Sequence, residues 1–279
     1  MKLRYALPAA ALALLLIGCQ AEEAAGTASV PQELSSAASA PVSMPPELPS
    51  PEELLARQPI DDTHDAFLVD TGGKLGTLLV TAEKGEQDRD TEFGDYRATL
   101  SVWNPRDMGA PLQTMVILVD DLAFGEHKTV DANFDGHMDF SVLHNMGNAA
   151  GYWYLWVWDE EAGRFVEVPE YREISLPRCN PETEVIDGWA RNSGGGDGVT
   201  TFHRWEDGKL VCIRRIETWW EETDMVIPET EGTVFAYGIK VEDRIDGELT
   251  QVYYKELPPG KDFFDEQAKW EHLDYHGEN

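Results

Sequence analysis

The sequence predicts a mainly β, antiparallel, propeller-like domain carried behind an unstructured N-terminal tether. Three observations lead there. Apolar residues beyond residue 60 recur with period two; all nine tryptophans lie in that part of the chain; and a tryptophan-glycine pattern repeats, with Trp158 and Gly163-Arg164-Phe165-Val166 followed at an offset of 45 by Gly208-Lys209-Leu210-Val211 behind Trp205. An offset of that size suits one four-stranded propeller blade. Gly247-Glu248-Leu249-Thr250 extends the pattern less closely, and the recurrence of Asp-Gly hairpin turns explains it equally well.

Taken in order, residues 1–18 read as a lipoprotein signal peptide. Lys2 and Arg4 precede an apolar run from Ala6 to Ile17, too short to span a bilayer. The run ends in Leu16-Ile17-Gly18-Cys19, which resembles the lipobox of bacterial lipoproteins and implies lipidation of Cys19. Multiple acyl chains anchor stably, at about 0.8 kcal/mol per buried methylene. Gln20 rather than Asp after the lipidated cysteine implies delivery to the outer membrane, on its periplasmic face.

Residues 19–59 contain seven prolines, Pro31, Pro41, Pro45, Pro46, Pro49, Pro51 and Pro59, much Ala, Ser and Glu, and no aromatic residue, so they bury no core. A tether of this length holds a folded head on the order of 35 Å from its anchor. Residues 60–279 then form one domain.

Tyr96–Trp103 and Thr233–Val241 alternate most cleanly, and both read as strands. Further strands are expected at Leu75–Thr81, Thr114–Val119, Phe140–His144, Tyr152–Trp158, Glu184–Trp189, Val199–Trp205, Leu210–Glu217 and Leu249–Leu257. A short amphipathic helix from Phe263 to Leu273 is expected to dock Phe264 or Trp270 on a sheet.

Charge narrows the partners. The chain holds 22 Lys and Arg against 52 Asp and Glu, a formal −30. Removing residues 1–18 takes two basic residues and no acid, leaving 20 against 52, or −32. Nucleic acid is excluded; basic proteins and divalent cations are favoured. In an oxidising compartment Cys179 and Cys212 are expected to form a disulfide, worth roughly 3.5 to 4 kcal/mol, provided the strands bring them together.

The sharpest motif is Asp131-Ala-Asn133-Phe-Asp135-Gly136-His137-Met-Asp139. Side-chain oxygens of Asp131, Asn133, Asp135 and Asp139, with the backbone carbonyl of His137, can converge on a hard cation when Gly136 permits the turn. Calcium is the expected ion. An EF-hand would need a bidentate Glu where Val142 stands, so the loop belongs between strands. It resembles the loops of integrin-type FG-GAP and dockerin-like repeats.

The stretch running through that loop, Gly151-Tyr-Trp-Tyr-Leu-Trp-Val-Trp158-Asp, Gly163-Arg-Phe165, Gly194-Gly-Gly196 and Arg204-Trp-Glu-Asp-Gly-Lys-Leu210 resembles a family of bacterial calcium-binding envelope lipoproteins with a β-propeller-like domain. Members of that family include immunity proteins against lysozyme-like peptidoglycan hydrolases delivered by type IV secretion. The resemblance covers residues 115–217 and implies a periplasmic inhibitor whose partner is a basic, lysozyme-like enzyme.

Two loops are candidate contact surfaces. The first, 144–152, supplies Asn145, Asn148 and Tyr152; tyrosine is the favoured anchor because it joins apolar area to a hydrogen-bonding tip. The second, 191–198, supplies Ser193. No H-E-x-x-H, G-x-S-x-G or phosphate-cradling glycine loop is present, and His64, His127, His144 and His203 stand apart from one another. A binding module is therefore expected rather than an enzyme. The alternative is a calcium-stabilised envelope lipoprotein that binds cell-wall glycan or another envelope protein through its aromatic residues.

Overall fold

The computed structural model describes residues 48–91, 94–147, 149–191, 197–223, 234–257 and 264–277. They fall in one unit, Glu47–Asn279. The expected signal peptide, Cys19 and most of the tether lie outside the described residues.

The folded part starts before residue 60. Ser50 caps helix α1 (Pro51–Leu55) through a reciprocal capping box with Glu53, at 3.2 Å and 3.1 Å. Leu54 of that helix packs on Ala66 and Leu79. Ser-x-x-Glu is a helix-start signal, and here it outweighs the surrounding Pro-rich composition.

Among the described residues fourteen strands follow in three antiparallel sheets, each a meander in chain order. The first contains β1 (His64–Asp70), β2 (Thr77–Gln87), β3 (Tyr96–Trp103) and β4 (Gln113–Val119). The second contains β5 (His127–Val130), β6 (Asp139–Met146), β7 (Gly151–Asp159) and β8 (Arg164–Glu167). After a 3-10 turn at Pro169–Glu173, the third contains β9 (Arg178–Asn180), β10 (Val185–Arg191), β11 (Gly198–Glu206), β12 (Lys209–Thr223), β13 (Val234–Ile245) and β14 (Glu248–Leu257). Helix α2 (Phe264–Trp270) closes the described fold.

These elements stack as layers. One core joins the first sheet to the second, through Phe67, Leu78, Leu100 and Val119 against Phe140, Tyr154, Trp156 and Phe165. Another joins the opposite face of the second sheet to the third, through Leu143, Trp153 and Leu155 against Ile174, Ile186 and Leu210. A third lies beyond, where Trp270 of α2 packs on Phe202, Ile216, Ile239 and Val241. The second sheet is thus covered on both faces. Its strand β7 sends Tyr154, Trp156 and Trp158 to one core, and Trp153, Leu155 and Val157 to the other. That is why 151–159 is nearly unbroken apolar sequence.

The antiparallel β class holds, but the repeat carries over only in part. Trp158 and Trp205 both lie near the ends of the third strands of their sheets, followed by left-handed turns at Gly163 (φ 62°) and Asp207-Gly208 (φ 50° and 75°). Trp103 ends the third strand of the first sheet as well. The third sheet, however, has six strands where a blade has four, because hairpin β13–β14 continues it.

The expected disulfide is corrected. Cys179, Ile186, His203 and Cys212 form one cross-strand row over β9, β10, β11 and β12, so two strands stand between the thiols. Three strand spacings come to about 14 Å, far beyond disulfide reach. Both cysteines are free thiols, and burial pushes Cys179 up to about 11. In the same row His203 is buried, and desolvation holds it down to about 4.

The C-terminal segment is tied by Arg214. Its guanidinium makes a two-pronged ion pair with Asp243 (2.6 Å and 2.8 Å) and donates to the carbonyls of Trp270, His272 and Tyr275. Every donor of the fork is used, a geometry that an ammonium group cannot reproduce. Arg214→Lys keeps the charge but leaves carbonyls of the fork unsatisfied, so it is expected to cost about 1–3 kcal/mol and to free the segment after residue 264 for proteolysis, read by urea unfolding and by timed digestion.

The histidine supplies a pH test. Its folded pKa of about 4 lies below the ordinary 6.5, so the unfolded chain takes the proton first as pH falls. The stability from neutral His203 is complete above pH 6.5 and is lost between there and pH 4, about 3 kcal/mol in all. His203→Leu should remove that part of the slope when unfolding free energies are compared at the two ends of the window.

Candidate functional site

Residues 131–138 connect β5 to β6, and the pair Val130–Asp139 closes the hairpin beneath them. Phe134 (φ 60°) and Gly136 (φ 89°) adopt left-handed backbone, which lets the loop curl over its own amides. Asp131 accepts from the amides of Asp135 (3.1 Å) and Gly136 (3.0 Å), and Asp135 accepts from that of His137 (2.8 Å). Asn133 accepts from the Asp135 amide (3.3 Å) and donates its side-chain N–H to the Asp135 carboxylate (2.7 Å). The predicted ligands Asp131, Asn133 and Asp135 therefore share one loop.

Asp139 has a different place. It is fully buried, and its two oxygens accept from the amides of Trp158 and Ala132, each at 2.8 Å. Desolvation raises it to about 7, and the charge of Asp135 adds to the rise against the pull of the two amides. His137 contributes through its ring: Nδ1 donates to the carbonyl of Thr71, and that bond raises its pKa.

The loop is consequently fastened to every sheet. The amide of Met138 donates to the carbonyl of Asp70 (3.3 Å) and His137 reaches Thr71, both at the end of β1. Trp158 of β7 holds Asp139, and Trp205 Nε1 of β11 donates to the carbonyl of Ala132 (2.8 Å). Beside it a cleft of about 470 Å³ opens between the β7–β8 and β11–β12 turns, lined by Asn133, Asp135, Glu160, Val166 and Trp205.

As to a cation, the donor set is all hard oxygen, and each carboxylate oxygen that accepts one amide keeps a lone pair. Among the described residues no three Asp, Glu, His or Cys side chains converge on one point. Here the loop is organised by its own amides, with Asn133 turned toward Asp135.

A second feature lies at the far end of the second sheet. Asn145 pairs with Tyr152 and Met146 with Gly151, after a bulge at His144 that re-aims the strand end. Asn145, Met146 and Tyr152 line a recess of about 250 Å³ together with Asp95 and Asp120. The amide of Asp120 donates to the carbonyl of His144 (2.9 Å), which draws the β4–β5 connection against the bulge. Met146 is half exposed. Tyr152 is half buried at the recess wall, with a bridge to Ser175 behind it. Asn148 and Ser193 lie outside the described residues. Asp95 and Asp120 carry no local sequence signal, because packing of one sheet on another brings them to this place.

No family model and no curated protein matches the chain. A solved structure described as a Xanthomonas type IV secretion system related protein superposes with a TM-score of 0.42 and 17% identity, over 67% of this chain and 93% of its own.

Removing the Asp139 carboxylate tests the joint. Asp139→Ala leaves the Ala132 and Trp158 amides unpaired, at about 1–3 kcal/mol each. In Asp139→Asn the amide oxygen serves one of them, so a smaller loss is expected in denaturant unfolding with chelator present.

Proposed function

We propose that this protein is a lipid-anchored periplasmic inhibitor, without catalytic activity of its own, that occludes the active-site cleft of a basic, lysozyme-like peptidoglycan hydrolase. The observation that carries the reading is the recess at the end of the second sheet: Tyr152 and Met146 supply apolar area, and Asp95 and Asp120 supply charge complementary to a basic partner. The sheet behind it is packed on both faces, so the recess is preorganised.

Calcium has a role in this reading. The ion would be held by Asp131, Asn133, Asp135, Asp139 and the carbonyl of His137, and would offset the buried charge of Asp139. It supplies folding free energy, about 2.7 kcal/mol when present at a hundred times its dissociation constant. Cys19 would carry the lipid on the outer membrane's periplasmic face, and the chain from Gln20 onward would give the head its reach.

Two measurements test the reading separately. Calcium should raise the melting temperature of the wild type and leave Asp135→Ala unmoved; identical wild-type curves in calcium and in chelator would remove the ion. In a cell-wall clearing assay, the full-length protein should slow a basic lysozyme-like hydrolase, and Tyr152→Ala should weaken that inhibition about tenfold or more. Unchanged clearing across a panel of such hydrolases defeats the inhibitor reading.

A further inference from the structure

The connection between β4 and β5, Asp120 to Glu126, wraps the edge of the second sheet and is anchored in both of its cores. Ala123 is fully buried in the core shared with the third sheet, while Phe124 packs against the core shared with the first. Asp120 closes the turn: its carboxylate accepts from the amide of Leu122 (2.9 Å) and its carbonyl from that of Ala123 (3.0 Å). Asp121 is paired with Lys84 (2.8 Å), whose ammonium lies over the rings of Tyr96 and Phe124, 4.9 Å and 5.3 Å from their centroids. At the far end, the carbonyl of Glu126 accepts from the amide of Leu143 (2.9 Å).

Between these fixed points stands Leu122, 82% exposed, more than any other large apolar side chain among the described residues. Single exposed leucines are ordinary. Two facts set this one apart. Its backbone cannot turn inward without drawing Ala123 or Phe124 from a core, so the side chain is held in water. Asp120, two residues before it, also lines the recess at the end of the second sheet, where Met146 is half exposed. An apolar group on a rigid support gains from burial in a partner and loses little conformational freedom there.

Charge selects the class of partner. Asp121 is neutralised by Lys84, and Arg172, which acts on His144 behind the recess, is engaged by Glu167 (3.7 Å). Burial lowers the pKa of His144, which keeps its ring neutral at pH 7. Asp95 and Asp120 therefore set the sign of the recess, in a chain of formal charge −30. Anionic lipid and a second copy of the chain are both repelled by such a rim. We propose, resting on the inhibitor reading above, that Leu122 is a second anchor of the interface and enters an apolar pocket of the hydrolase bordered by basic side chains.

The test compares full-length wild type with Leu122→Asn and Leu122→Met in a clearing assay against a basic lysozyme-like hydrolase that the wild type slows. Leu122→Asn leaves the charge unchanged and is expected to raise the concentration for half inhibition about tenfold or more, and Leu122→Met less than about threefold. Both variants should melt with the wild type, because the side chain lies in solvent. Equal inhibition by Leu122→Asn, while Tyr152→Ala weakens it, overturns the anchor and leaves the recess reading in place. Absence of inhibition by the wild type across a panel of such hydrolases removes both. A dimer in sedimentation that Leu122→Asn dissociates would assign the side chain to a second copy and likewise overturn the proposal.

Discussion

The buried carboxylate of Asp139 is the constraint on which the arrangement of sheets depends. It starts β6, yet it is spent on the amides of Ala132, in the loop before it, and Trp158, on the neighbouring strand β7. Because Ala132 also accepts from Trp205, and His137 and Met138 reach the end of β1, a single nine-residue motif from Asp131 to Asp139 joins all three sheets. An ionised group is costly in such buried surroundings, and desolvation accordingly raises its pKa. The same position that makes Asp139 expensive makes it effective as a joint, since each of its oxygens satisfies an amide that would otherwise be buried without a partner.

From that joint the layers follow. A sheet covered on both faces needs apolar residues at successive positions, and β7 supplies four tryptophans and tyrosines within the run Trp153 to Trp156 and Trp158. Large rings fill the gaps between sheets with few side chains, and stacked or edge-on contacts among Phe140, Tyr154, Trp156 and Phe165 set the spacing on one side. At the margins, polar ties finish the packing of the first sheet on the second. Gln113 of β4 bonds both the amide and the carbonyl of Phe165, and Asp65 of β1 holds His127 of β5 at 2.9 Å.

Much of this is legible in the sequence, and the exceptions have physical causes. Strands with one exposed face announce themselves by period two, as β3 does over Tyr96–Trp103. Short strands such as β5, β8 and β9 escape because three or four residues carry no period, and their pairing is imposed by longer neighbours. The loop motif is readable because glycine and Asx residues act locally, whereas the internal duty of Asp139 is not, because it depends on Trp158 arriving from another strand. For the recess, Asn145 and Tyr152 are visible as a hairpin end, but Asp95 and Asp120 meet them only once sheets have packed. Cys179 and Cys212 show the converse failure: the expectation of an oxidising compartment favours a bridge, and sheet order prevents it.

Distribution of charge ties these features to one another. With 52 acidic residues, most carboxylates must face water, so the places where acid is buried, paired or clustered on a recess are where the fold departs from simple solubility. Asp139 is the buried case, the Arg215–Glu217–Lys240–Glu242 network is the paired case, and Asp95 with Asp120 is the recessed case. Each meets its charge differently: the first through two backbone amides, the second through arginine and lysine, the third beside the apolar walls of a recess. One strongly acidic chain can thereby present chemically distinct surfaces, because sheet packing decides which carboxylates keep their solvent and which do not.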